Sequence, residues 1–61
     1  MKHDEAMKLK RGDQVKFFGK KRIVDSVSQE NPCYALCLKY SHASKTYINV
    51  SHENVQHLER V

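Results

Sequence analysis

The sequence predicts a small all-β domain of five short strands. Apolar residues recur in short bursts at steps of two, and turn residues separate the bursts every 8 to 12 positions. The one segment with a helical alternative, Cys33–Tyr40, follows Pro32 and spaces its large apolar residues by two, as a strand does.

The elements follow in chain order. Residues 1–8 are polar and mixed in charge and read as a flexible leader, with Met7 and Leu9 available to lie against the domain and a short, marginal helix possible from Asp4. Gly12-Asp13 is a turn signal that opens a strand through Val15, Phe17 and Phe18. Gly19-Lys20 breaks the chain again before Ile23, Val24 and Val27. Ser28 to Pro32 is a polar loop that the proline ring keeps out of helix. In Cys33–Tyr40, Tyr34, Leu36, Leu38 and Tyr40 share one face and Cys33, Ala35, Cys37 and Lys39 the other. Lys45–Val50 alternates once more, and a short turn at Ser51–Asn54 leads to Val55, Leu58 and Val61. Residues 9–61 thus form one domain, with Val15, Phe17, Tyr34, Leu36, Leu38, Tyr40, Ile48 and Val50 assigned mainly to its core.

Two stretches resemble the SH3-like barrel superfamily. Leu9-Lys10-Arg11-Gly12-Asp13-Gln14-Val15-Lys16-Phe17 is similar to the family's entry into its first long strand. Val50, Val55 and Leu58 are spaced as in its closing segment, where a single 3₁₀ turn precedes the last strand. The resemblance covers about residues 9–61 and implies a five-stranded barrel with that turn, of the stand-alone type found in bacteria and phages. The Gly12-Asp13 entry also resembles, in part, the KOW-type barrels of ribosomal and transcription proteins, which bind RNA or polymerase. The acidic, aromatic loop of true SH3 domains is absent and the chain has no Trp, so the resemblance does not carry proline-rich peptide recognition.

Size and charge narrow the function classes. A chain of 61 residues buries only about 60% of the surface its unfolded form exposes. Its interior therefore has little room for a deep cavity flanked by positioned acids and bases, and a shallow partner surface is easier to build. The net charge of +4 suits an anionic partner and equally suits simple solubility. The N-terminal segment has no apolar run of the signal-peptide kind and nothing approaches a membrane span, so the cytoplasm is the default compartment. Asn49-Val50-Ser51 then has no meaning as a glycosylation site.

The densest candidate is a basic run from Lys8 to Arg22, seven cations with only Asp13 opposing them. Lys10, Arg11, Lys16, Lys20, Lys21 and Arg22 are the candidate binding residues. If the first two strands form a hairpin, Lys20 to Arg22 lie at its tip. Such a patch attracts phosphates, because each neutralised charge releases counterions; it equally reads as a solvated edge whose lysines discourage strand pairing. Phe18 and Tyr47 fall on the opposite parity from their core-facing neighbours and are the candidate exposed aromatics.

Metal and catalytic motifs fare less well. On an extended strand Cys33 and Cys37 are roughly 13 Å apart, too far to share an ion or a disulfide. His52 and His57 are five apart, about 140° around a helix, unlike the zinc-protease spacing. No glycine-rich phosphate loop, paired carboxylates or activated nucleophile stands out. No catalytic residue, metal or cofactor is expected, nor a small-molecule substrate or membrane partner. The expected function is a non-catalytic binding or adaptor module, monomeric or weakly dimeric, engaging a protein partner through a basic, aromatic-spotted face. Sequence-tolerant nucleic-acid binding through the Lys8–Arg22 patch is the alternative, and a self-associating structural module the third.

Overall fold

The computed structural model describes residues 1–61. A four-residue helix α1 (His3–Ala6) precedes β1 (Gln14–Phe17), β2 (Lys20–Val27), β3 (Leu36–Lys39) and β4 (Tyr47–Val50). A 3₁₀ segment η1 (His52–His57) then leads into β5 (Leu58–Arg60). The strands form one antiparallel sheet in the order β4-β3-β2-β1-β5. The fold class is the expected one, all-β with five short strands and a 3₁₀ turn before the last. The sheet is open, with β4 and β5 as its two edges.

Cross-strand partners share a face, so the register sorts every side chain. Val15, Phe17, Val24, Val27, Leu36, Leu38, Ile48, Val50 and Leu58 lie on the inner face. Lys16, Lys21, Ile23, Cys37, Lys39, Tyr47 and Glu59 lie on the outer one. Strict alternation along β2 would put Val24 and Val27 on opposite faces. A bulge between Val24 and Ser26 adds one residue, Asp25, and resets the parity so that both valines face Leu38 and Leu36.

Two turns need their glycines. Lys10 and Asp13 close a turn through Asp13 N–H to Lys10 C=O at 3.0 Å. Gly12 holds its third position at φ 93°, which a side-chain-bearing residue adopts only under strain. The Asp13 carboxylate accepts the Lys10 N–H at 2.8 Å and fixes the same loop. The β1–β2 hairpin turns on two residues, Phe18 and Gly19, at φ 52° and 79°. Positive φ at both positions makes this a type I′ turn, the form that matches strand twist.

The core differs from expectation at both ends of the chain. Residues 1–8, expected as a flexible leader, carry α1 and place Ala6 in the core with no exposed surface. Met1, Met7 and Leu9 pack around the same cluster. A helix this short has no stability of its own; its apolar side holds it to η1 and the inner sheet face. Leu36, Leu38, Val15 and Val50 are buried as expected, and Phe17 and Ile48 are partly buried. Val55 and Leu58 join them, completing the trio spaced as the closing segment required. Tyr40 does not belong to the core: it is 50% exposed.

The expected strand Cys33–Tyr40 is half as long as predicted. The Asn31 side-chain oxygen accepts the Cys33 and Tyr34 N–H groups at 2.8 and 3.3 Å. That side-chain turn takes up donors a strand would have used. Pairing therefore begins late, and Ala35 and Leu36 are both buried although adjacent.

Replacing Ala6 by Asp tests whether α1 is structural. It would bury an unpaired carboxylate and should cost at least about 2 kcal/mol of unfolding free energy in a urea titration. An unchanged midpoint would mean that the helix does not hold its place against the sheet.

Candidate functional site

The hairpin sets the geometry of the candidate surface. Because β2 runs antiparallel to β3, with Ile23 opposite Lys39, the Phe18-Gly19 tip and the Ser41–Thr46 loop lie at the same end of the sheet. Residues 16–22 and 39–47 build this end. They contain six of the eleven cations, Lys16, Lys20, Lys21, Arg22, Lys39 and Lys45, and none of the seven acids. Three aromatics in them are largely exposed: Phe18 at 62%, Tyr40 at 50% and Tyr47 at 53%.

The six cations singled out in sequence do not form one face. Lys16 and Lys21 are direct cross-strand neighbours on the outer face, with Glu59 on the other side of Lys16. Lys20 and Arg22 have the opposite parity. Lys10 and Arg11 lie in the loop before β1, at the far end of that strand, where Arg11 is 3.8 Å from the Asp25 carboxylate. Like charges directly opposite one another repel, and Lys16 against Lys21 is such a pair. Glu59 lies across the strand from Lys16 and opposes that repulsion.

Two cations at the tip end are already engaged. The Arg22 guanidinium donates to the Lys21 carbonyl at 2.7 Å and lies 4.6 Å from the centre of the Tyr40 ring. The Lys39 ammonium donates to the His42 carbonyl at 3.0 Å. Sequence reasoning missed Lys39 and Tyr40 as site residues. The signal for Lys39 was its parity opposite Tyr47; Tyr40 was assigned to the core from its alternation with Leu36 and Leu38, and the strand ends before it.

Phe18 and Tyr47 are exposed but stand apart. Tyr47 is on the β4 edge, on the outer face beside Lys39. Phe18 stacks on His57 with ring centres 4.6 Å apart and an interplanar angle of 26°. It also meets Phe17 edge-on at 4.6 Å and 63°. The left-handed backbone of Phe18 costs about 1–2 kcal/mol, and these two ring contacts return about as much. His57 ends η1, and this stack is its place in the structure.

The remaining candidates fall elsewhere. Cys33 and Cys37 are free, and Cys33 is exposed outside any strand. Burial pushes the Cys37 thiol above its usual range, and the neighbouring Asp25 charge adds to this. The thiolate is the reactive form, so Cys37 is a poor nucleophile at neutral pH. Two shallow concavities exist, of about 440 and 510 Å³, and both lie beside α1 rather than at the hairpin tip. No group of three or more His, Cys, Asp or Glu side chains gathers at metal-binding distance. No helix is long and apolar enough to cross a membrane.

Comparison with known proteins adds no relative: no family model matches the chain, and no curated protein and no solved structure matches it significantly.

Phe18→Asn should leave stability within about 1 kcal/mol of the parent, because asparagine tolerates the left-handed turn while the ring contacts are lost. A loss above about 2 kcal/mol in urea unfolding would show that the stack, not the turn, dominates. With iodoacetamide near pH 8, Cys33 should be alkylated well before Cys37, as read by peptide mass mapping. Equal rates would contradict the protected, protonated state of Cys37.

Proposed function

We propose that this chain is a non-catalytic binding module, a small cytoplasmic domain of the SH3-like kind with its sheet left open, that engages an acidic protein surface through the hairpin-tip end. The observation that carries this reading is the coincidence there of three exposed aromatics with six cations, against the single neighbouring acid Glu59. Exposed tyrosine, phenylalanine and arginine are the residue types that concentrate binding energy at protein interfaces. A rim of lysines steers an acidic partner and suppresses basic ones.

Nucleic acid is the second reading. Rings beside cations also suit unpaired bases and phosphates. Two features favour the protein partner. Arg22 and Lys39 already have intramolecular acceptors, which lowers the number of cations free for phosphate. The aromatics also lie on different faces of one sheet end rather than along a single groove, which suits a broad partner surface better than a threaded strand.

An amide-resolved NMR titration with short DNA and RNA oligonucleotides, at low and near-physiological salt, separates the two. The protein reading expects no salt-sensitive shifts at Lys20–Arg22. It also expects that a partner captured from lysate by the parent is lost with Tyr47→Ala or with Phe18→Asn, more than with any single lysine change. Oligonucleotide binding that disappears when Lys20, Lys21 and Arg22 are all changed to Glu would overturn it in favour of nucleic acid.

A further inference from the structure

The side of the molecule away from the hairpin tip holds a feature that partner binding does not use. His3 on α1 and His52 on η1 place their rings with centroids 5.2 Å apart, and His3 Nε2 is 2.9 Å from His52 Nδ1. His52 Nε2 is 2.6 Å from the Asn31 backbone carbonyl. A carbonyl can only accept, so His52 carries its proton on Nε2. Its Nδ1 is therefore a bare lone pair, and His3 Nε2–H donates to it.

The geometry points to a two-histidine site for a divalent transition metal, zinc in the first instance, with His52 Nδ1 and His3 Nε2 as ligands. The arrangement around His52 is the one that metal-binding histidines use. The far ring nitrogen donates to a backbone carbonyl, which fixes the tautomer and aims the near nitrogen. Two imidazole nitrogens on a tetrahedral zinc ion, each bonded at about 2.0–2.1 Å, stand about 3.4 Å apart. The two rings now meet head to head, so for the metal to replace the shared proton the nitrogens must open by about 0.5 Å and the exposed His3 ring must tilt until both lone pairs converge on the ion. His3 then holds its proton on Nδ1 instead, while His52 keeps its tie to the Asn31 carbonyl.

Access favours the same conclusion. His3 is exposed, and both rings line the concavity of about 510 Å³. Glu53 lines it too and offsets one of the two positive charges that Lys2 and the Met1 amine bring there. Two protein ligands leave the remaining positions to water, consistent with the lack of any third metal-binding side chain in place. A bound ion would clasp α1 to η1 across a contact that now rests on one hydrogen bond between rings and on apolar packing at Ala6 and Val55.

Zinc chloride titrated into the protein near pH 7, with ring nitrogens observed by long-range ¹H–¹⁵N NMR, tests the site. Zinc is the probe because it does not displace backbone amide protons, so chelation by main-chain nitrogen does not compete. The expected result is movement of the His3 and His52 ring nitrogens, with those of His42 and His57 unmoved, and a rise in thermal midpoint. His3→Gln should weaken zinc binding about tenfold or more and abolish that rise. His3 is exposed, so this variant keeps the fold, whereas His52→Gln would also lose the tie to Asn31. Shifts confined to Cys33 and Cys37, equal shifts at all four histidines, or unchanged affinity in His3→Gln would each overturn the proposal.

Discussion

One apolar sheet face governs this molecule. Val15, Val24, Leu36, Leu38 and Val50 present it, and all five are fully buried. A sheet alone cannot hide a face, and a chain of 61 residues has no second sheet to lay over it. The cover comes from the ends: Ala6 of α1 and Val55 of η1 close over the strands, and Leu58 of β5 extends the apolar face beneath them. This explains why a four-residue helix with no intrinsic stability is ordered, and why the N-terminal amine donates to the Leu58 carbonyl at 2.6 Å. Arg60 meets Glu5 across the same junction at 3.1 Å, an exposed ion pair that contributes little energy but fixes the orientation of the two ends.

The division of labour between the two ends of the sheet follows. The end where α1, η1 and the Asn31 loop converge is occupied with covering the core. The hairpin-tip end is free of that duty, and there the chain places six of its eleven cations and three exposed rings. The exposed rings and the core cover therefore come from different residues. The exception is His57, which ends η1 and stacks under Phe18, linking the cover to the tip.

Much of this was legible in the sequence, for physical reasons. Steps of two in β1, β3 and β4 reveal strands because side chains must alternate, and the closing 3₁₀ turn was implied by the resemblance that Val50, Val55 and Leu58 carry. Two kinds of information were not legible. Alternation cannot register a bulge, so the parity of Val27 and the face of Ile23 were hidden until the pairing was seen. Nor does alternation reveal where a strand starts when a side chain such as Asn31 captures backbone donors first. The leader was misread because Ala6 is a single small residue, and burial of one alanine leaves no periodic trace. At the candidate site, exposure of Phe18 and Tyr47 could be read from parity. The separation of Lys10 and Arg11 from Lys20–Arg22 could not, because nearness in sequence along a hairpin arm becomes distance in space.

The bulge at Asp25 also governs how the chain tolerates changes in length. In the loop from Ser28 to Tyr34 an added or missing residue is absorbed by backbone that pairs with nothing regular. In β2 the side-chain period of two behaves like a reading frame. Deleting Asp25 would take out the extra residue and leave Val24, Ser26 and Val27 in simple alternation opposite Leu38, Cys37 and Leu36, with both valines still on the inner face. The bulge is thus a place where β2 can lose a residue without a shift of frame, whereas a deletion in the regularly paired stretch before it would turn side chains to the wrong face.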